Sequence, residues 1–245
     1  MKENIALERY EFKYLLPNKT AQQIEGEIKN FMVLDEFADK KPNKKYFVNS
    51  IYFEDNHNTN FNEKVDGFRI RKKYRVRIYS NDEKKSIIFL EIKGRNLERT
   101  YKERVSIPEK YFNLLNSRNV IKLLKVFPKN KIITSFVFDI IKKQLKPIIK
   151  IDYLRRPYIG THGLYFRLTF DNELKSSKIS NLNFSNRDEF SLLCKAGYTI
   201  LEVKFERSIP AWFHRIIQSY NLKRMSISKY VLGMCSSKLG YETSE

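Results

Sequence analysis

Residues 68–79 read FRIRKKYRVRIY, and this stretch constrains the fold more than any other. Every odd position from 69 to 77 is a cation: Arg69, Arg71, Lys73, Arg75 and Arg77. The even positions Phe68, Ile70, Tyr74, Val76 and Ile78 are apolar, and Lys72 alone breaks the pattern. A period of two puts the sets on opposite faces of a β-strand. Same-face neighbours lie about 7 Å apart. Like charges at that spacing repel by roughly 2–2.5 kcal/mol at an effective dielectric near 20, and by about 0.6 kcal/mol in bulk water. Facing solvent, such a row costs little. Facing a confined space, it needs anions.

The same two-faced design recurs. In residues 7–16 (LERYEFKYLL), Arg9, Glu11 and Lys13 oppose Tyr10, Phe12 and Tyr14. Residues 46–53 (YFVNSIYF) form a second strand, and Asp66-Gly67 is a turn that launches the cationic strand. A turn at Asn81-Asp82 leads into 86–94 (SIIFLEIKG), with Glu91 and Lys93 polar. The turn 96–98 leads into 101–107, where Lys102 and Arg104 oppose Tyr101, Val105 and Ile107. Three strands on short turns predict an antiparallel meander. Residues 163–172 set Arg167, Thr169 and Asp171 against Phe166, Leu168 and Phe170. Residues 198–206 set Glu202, Lys204 and Glu206 against Leu201, Val203 and Phe205. In 146–160 parity is ambiguous: Lys150 and Asp152 share one side, Tyr153 and Arg155 the other.

Helices fill the intervals. Thr20 reads as the N-cap of one running to about residue 31, and 35–45 reads as loop. Residues 108–143 have the length of two or three short helices. Pro210 opens another, and Ser228 caps a last one. No linker or repeat divides the chain, so 1–245 reads as one α+β domain with about eight mostly antiparallel strands.

The balance of 47 Lys+Arg against 28 Asp+Glu, a net +19, calls for polyanionic partners. A hydrophobic content of 42% with 14% aromatics argues against disorder. No apolar run reaches the roughly 20 residues of a membrane span, and the start lacks the apolar core of a signal peptide. A cytoplasmic location is expected. Cys194 and Cys235 have no metal or redox spacing and read as reduced thiols. Three scattered histidines disfavour zinc. No glycine-rich phosphate loop is present, so anions must be held by side chains.

Two architectures satisfy the pattern. A flat sheet would pack its apolar face on helices and leave the cations in water. A closed barrel would line a tunnel with its charged faces and carry helices on its apolar outside, inverting the usual arrangement. Such a tunnel would be electrostatically unfavourable when empty. Arginine is suited to forked contacts with phosphate oxygens, which favours the tunnel. Glu11, Glu91, Glu202 and Glu206 stand on strands beside the cations. A nucleic-acid surface gains nothing from them, whereas Mg²⁺ or Mn²⁺ bridging phosphates takes one or two carboxylates.

The segments RYEFKYLL (9–16), SIYF (50–53), YRVRIY (74–79), FLEIKGR (89–95), YKERVSI (101–107), FRLTFDNEL (166–174), ILEVKFE (200–206) and SISKYVLG (226–233) carry a resemblance by their order and spacing. The chain resembles the polyphosphate-polymerase (VTC) domain of the triphosphate tunnel metalloenzymes, relatives of the CYTH proteins. The resemblance implies a closed antiparallel eight-stranded β-barrel, a triphosphate tunnel with helices outside. It implies binding of ATP or another triphosphate, growth or cleavage of inorganic polyphosphate, and a divalent Mn or Mg cofactor. It places Tyr153 and Arg155 inward. Matched by position, the phosphate ligands would be Lys13, Arg75, Arg77, Lys93, Lys102, Arg155, Arg167 and Lys229, and the metal ligand Glu202. The charged strand faces add Arg71, Arg104 and Lys204 as substrate contacts and Glu11 as a second metal ligand.

The expected activity is transfer of the ATP γ-phosphoryl group to a phosphate chain. Arg75, Arg77, Lys93, Arg155, Arg167 and Lys229 would take the catalytic role. Hydrolysis of triphosphates, and non-catalytic binding of polyphosphate or nucleic acid, stay open as alternatives. No specific nucleic-acid partner is expected. Eukaryotic members carry a regulatory domain and a membrane-spanning region that this sequence does not show, so any membrane association would run through an integral membrane partner, which the sequence leaves open.

Overall fold

The structure, a computed structural model, describes residues 4–41, 43–79, 87–97, 99–116, 119–161, 163, 165–182, 191–192 and 196–239. The strands are β1 (Asn4–Pro17), β2 (Met32–Leu34), β3 (Tyr46–Glu54), β4 (Ile70–Tyr79), β5 (Ile87–Asn96), β6 (Arg99–Pro108), β7 (Lys146–Gly160), β8 (Phe166–Lys178), β9 (Ser191–Leu192) and β10 (Tyr198–Phe205). The helices are α1 (Asn18–Ile28), α2 (Glu36–Asp39), α3 (Thr59–Val65), α4 (Lys122–Val126), α5 (Lys131–Lys142), α6 (Ala211–Ser219) and α7 (Lys229–Ser236), with a 3₁₀ segment at Glu109–Leu115.

Eight strands close a ring in the order β7-β3-β4-β5-β6-β1-β10-β8, and β8 returns to β7. Every pairing is antiparallel. Closure excludes the flat sheet, because no ring strand is left with an open edge. The short β2 and β9 attach to β7 and β8.

The apolar faces point outward, under helices. Tyr74, Val76 and Ile78 join Ile88, Leu90, Ile92, Val105 and Ile107 in a core covered by Ile133, Phe136, Val137 and Ile140 of α5. Burying each of those aliphatic side chains is worth about 1.5–3 kcal/mol. On the other side, Leu168, Phe170, Leu201 and Val203 pack beneath Ile24 and Ile28 of α1 and Phe213 and Ile216 of α6. The third cluster lies inside the ring: Tyr230 and Met234 of α7 meet Tyr52, Ile149, Ile151, Leu174 and Ile200. Helices α1, α5 and α6 therefore stand outside, and α7 is an exception that enters the ring. Gly233 makes the exception possible, since a Cβ there would lie 2.9 Å from Ile149 Cδ1 and 3.1 Å from Ile151 Cδ1.

Three local expectations change. The stretch 35–45 is not all loop: Asp35 accepts from the Phe37 amide at 3.0 Å and caps α2, which buries Ala38. Thr20 is not a cap, because α1 begins at Asn18 directly after Pro17. β7 keeps regular alternation from Ile149 to Arg155 against β3. Its parity is masked because its inward row changes character, Ile149 and Ile151 packing on α7 and Tyr153 and Arg155 lining a cavity, while Lys150 and Asp152 stand on the other face. Ser228 does cap α7, accepting from the Val231 amide at 3.4 Å. The Asn81-Asp82 turn and Cys194 lie outside the described residues, and Cys235 is a free, half-buried thiol. Among the described residues, no helix is long and apolar enough to cross a membrane.

Candidate functional site

Alternation on β4 turns Arg71, Lys73, Arg75 and Arg77 into the ring. There they meet Tyr52 of β3, Lys93 of β5, Glu11 and Lys13 of β1, Glu202 and Lys204 of β10, and Tyr153 and Arg155 of β7. These residues surround a cavity of about 360 Å³, which Lys229 enters from the first turn of α7. Among the described residues its lining holds twelve cations against two carboxylates, Glu11 and Glu202, an excess of ten.

Two further acids lie in the wall. Glu91 is fully buried, and its oxygens stand 2.6 Å from Arg75 Nε, 2.5 Å from Lys102 Nζ, 3.5 Å from Arg104 Nε and 3.9 Å from Arg77 Nη1. Burial pushes its carboxyl up, but the four cations outweigh this and hold it well below the usual carboxylate range. Asp171 is fully buried as well. Arg155 grips it with two hydrogen bonds of 2.7 Å, and Lys229 Nζ stands 2.6 Å away. The charged faces imply a tunnel that is electrostatically unfavourable when empty. The structure corrects this, because internal carboxylates already occupy part of it.

Glu11 and Glu202 stand on adjacent strands, in the register Lys13↔Glu202 and Glu11↔Lys204. Glu11 lies 2.9 Å from Lys13 and 3.0 Å from Lys93, and Glu202 lies 2.6 Å from Lys204. Burial raises the Glu202 carboxyl, yet Lys204, Lys13, Lys229 and Arg155 together keep it well below its ordinary value. Both groups are ionised acceptors at neutral pH.

Ten of the thirteen residues singled out from the sequence line this cavity: Lys13, Arg71, Arg75, Arg77, Lys93, Arg155, Lys204, Lys229, Glu11 and Glu202. Lys102 lies behind it, on Glu91. Arg104 and Arg167 do not reach it. They line a second cavity of about 350 Å³ at the other end of the ring, where Arg167 lies 3.2 Å from Asp35. Glu206 lines neither cavity and lies 3.7 Å from Arg9.

Sequence reasoning missed several members. Asp171 looked like one more polar-face residue, and only closure against β7 brings it to Arg155. Arg95 continues the inward row of Glu91 and Lys93 one residue past the strand end expected at 94, whereas Lys64 and Arg224 come from a helix and a loop, where alternation carries no signal. Lys73, a member of the cationic row outside the expected ligand set, lines the cavity too. Among the described residues it has no carboxylate partner: its amine lies 3.3 Å from Ser228 Oγ and 4.5 Å above the Tyr230 ring. Burial, reinforced by Lys64, Lys93, Lys13 and Arg71, lowers its pKa well below the ordinary lysine value.

The model of one family, the VTC domain, matches residues 8–238. No curated protein matches the chain by sequence. Among solved structures, a candidate adenylate cyclase from Bacillus halodurans is similar over 93% of this chain and 96% of its own, at 14% identity and a TM-score of 0.49. The PH1819 protein from Pyrococcus horikoshii OT3 aligns over 91% of this chain and 97% of its own, at 15% identity and a TM-score of 0.48. A candidate adenylyl cyclase from Hippeastrum, described as having a dominant triphosphatase activity, covers 94% of this chain and 97% of its own, at 13% identity and a TM-score of 0.48.

Proposed function

As the chain belongs to the VTC domain family, we propose that it is a metal-dependent phosphotransferase moving the γ-phosphoryl group of ATP onto a phosphate chain inside the ring. The observation that carries this reading is the cavity lined by twelve cations and two adjacent carboxylates. A compact polyanion satisfies such a site. A duplex is too wide for it.

Phosphoryl transfer asks little covalent chemistry of a protein. It asks for alignment of the attacking and leaving oxygens and for neutralisation of charge spread over the transferred group. In this reading Arg75, Arg77 and Arg155 hold the equatorial and bridging oxygens, since their forked guanidinium groups suit them. Lys13, Lys93 and Lys229 reach the same space as point charges. The terminal oxygen of an acceptor chain is already anionic and attacks without a base.

The donor set fits a divalent ion in one respect. Mg²⁺ and Mn²⁺ are held by one or two carboxylates completed by substrate phosphates, and Glu202 and Glu11 are such a pair. Among the described residues no group of three or more acidic, histidine or cysteine side chains forms a cage, so the substrate would supply the remaining oxygens. A bound Mg²⁺ or Mn²⁺ would offset charge on the phosphate oxygens. Lys204, Lys13 and Lys93 would first have to release the two glutamates.

A second reading is hydrolysis of tripolyphosphate or a nucleoside triphosphate, and Lys73 favours it. Water, unlike a phosphate oxygen, must lose a proton, and Lys73, which among the described residues has no carboxylate partner and lies 3.3 Å from Ser228 Oγ, is the candidate to accept it.

Incubation with ATP and Mn²⁺, followed by gel and phosphorus NMR, tests both readings. Lengthening chains support transfer, and orthophosphate alone supports hydrolysis. Failure to consume ATP or tripolyphosphate with either metal refutes catalysis. Tripolyphosphate at a hundred times its dissociation constant should add about 2.7 kcal/mol of stability, roughly 5–11 °C in melting temperature. Duplex DNA of equal phosphate concentration should add much less. Any membrane partner belongs to the proposal as well.

A further inference from the structure

The second cavity differs chemically from the first. Its wall is aromatic: Phe37, Tyr46, Tyr79 and Phe89, from α2, β3, β4 and β5. The rings contact one another edge to face. Tyr46 and Tyr79 have centroids 5.7 Å apart, Tyr79 and Phe89 5.5 Å, and Phe37 and Tyr46 4.9 Å. The Arg104 guanidinium lies 3.5 Å from the centroid of Phe89, so this ring face already accepts a flat, delocalised group. Asp35 is the carboxylate that lines the space, with Arg167 beside it.

A bare phosphate chain has no use for such a wall. Aromatic faces reward a flat π-system, a carboxylate accepts hydrogen bonds from sugar hydroxyls, and two arginines suit the first phosphate of a nucleotide. The position agrees with this chemistry. Tyr79 follows Arg77 and Arg75 on the same inward row of β4, each step about 7 Å, so a phosphate chain leaving this cavity runs toward Arg77 and Arg75. Buried Glu91 links the two spaces, contacting Arg104 of the aromatic cavity and Arg75 and Arg77 of the cationic one.

We infer that this aromatic cavity is a nucleoside subsite, which stacks the base of a nucleoside triphosphate and directs its phosphates into the cationic cavity. The inference rests on reading that cavity as the phosphate site. It fixes a polarity: the base sits at the Tyr79 end, and the γ-phosphate points toward Lys13 and Lys229. It also assigns a selectivity that the cations alone would not give, for a nucleoside triphosphate over the more highly charged tripolyphosphate.

Isothermal titration of the whole chain with tripolyphosphate and with the β,γ-imido analogue of ATP tests it. Phe37→Ala should weaken the analogue about five- to hundredfold, the worth of one base–aromatic stack, and leave tripolyphosphate unchanged. Asp35→Asn keeps a residue able to cap α2 and should weaken the analogue without weakening tripolyphosphate. In the unmodified protein, saturation of aromatic ring protons should transfer to the base protons of the analogue. Equal losses for both ligands, or no loss for either, would overturn the subsite while leaving the phosphate reading intact. Absence of transfer to the base would overturn it too. If neither ligand binds the unmodified protein, both readings fall.

Discussion

Glu91→Gln tests how the ring tolerates its own charge. The substitution keeps the shape of the side chain and deletes one buried negative charge. Four cations then lose their shared acceptor: Arg75 at 2.6 Å, Lys102 at 2.5 Å, Arg104 at 3.5 Å and Arg77 at 3.9 Å. Removing one partner of a buried ion pair costs about 3–5 kcal/mol, because the remaining charge stays desolvated. For a domain of this size, 1 kcal/mol moves the melting temperature by about 2–4 °C. The free protein should therefore melt roughly 6–20 °C lower. Tripolyphosphate restores the missing negative charge, so the variant should bind it more tightly than the unmodified protein does. A tenfold gain adds about 1.4 kcal/mol to the ligand-induced stabilisation. Thermal melts of both proteins across a tripolyphosphate titration measure all three quantities. An undiminished melting temperature would refute the view of Glu91 as a structural counterion. A large fall with no increase in the ligand-induced shift would refute its competition with phosphate.

Glu202→Gln should abolish metal-dependent turnover while tripolyphosphate still binds, because no cation is lost; wild-type turnover with metal present would remove Glu202 from the metal site. Lys229→Ala should lower the melting temperature of the free protein by about 3–12 °C, since a charge-assisted contact to buried Asp171 is worth about 1.5–3 kcal/mol. A solvated lysine at a helix start would give a change within about a degree, so melts separate the two. Glu54 is buried beneath Tyr230 and the Asn60 amide, and burial, with Asp55 nearby, raises its pKa from 4.5 to about 7. The unfolded chain releases this proton near pH 4.5 and the folded chain keeps it to about pH 7, so stability falls as pH rises through that window. Glu54→Gln should flatten the slope of melting temperature against pH between 5 and 7, and parallel slopes would exclude Glu54 as its source.

The fold was legible wherever one strand kept one parity. Residues 70–79 announced both faces, and the outer core under α5 followed from them. Closure was not legible from alternation, because a flat sheet and a ring present the same pattern. The resemblance resolved it, and the register of β7 against β3 and β8 is its physical expression. Arg155 was ambiguous because its strand face is apolar where α7 fills the ring, at Ile149 and Ile151, and polar only beyond it, while Lys150 and Asp152 put charge on the opposite face. Asp171 was overlooked because its meaning comes from Arg155 and Lys229, which lie on β7 and α7. Arg104 and Arg167 were grouped with the other cations because charge alone carries no depth along a tunnel. The aromatic neighbours Phe89 and Tyr79 that set them apart come from separate strands.

The seam between β1 and β10 carries a kinetic consequence. Lys13 donates to the Ile227 carbonyl at 2.9 Å across 214 residues of sequence, beside the pairing Lys13↔Glu202. Contacts so remote must await loop closure, and topologies dominated by them fold slowly. The meander β4-β5-β6 can assemble early from neighbours on short turns, whereas the two glutamates facing the cavity meet only when the last seam zips. Fraying of that seam would separate Glu11 from Glu202 while the meander and its outer core stay folded. Heat or denaturant should therefore silence the protein before its bulk secondary structure melts.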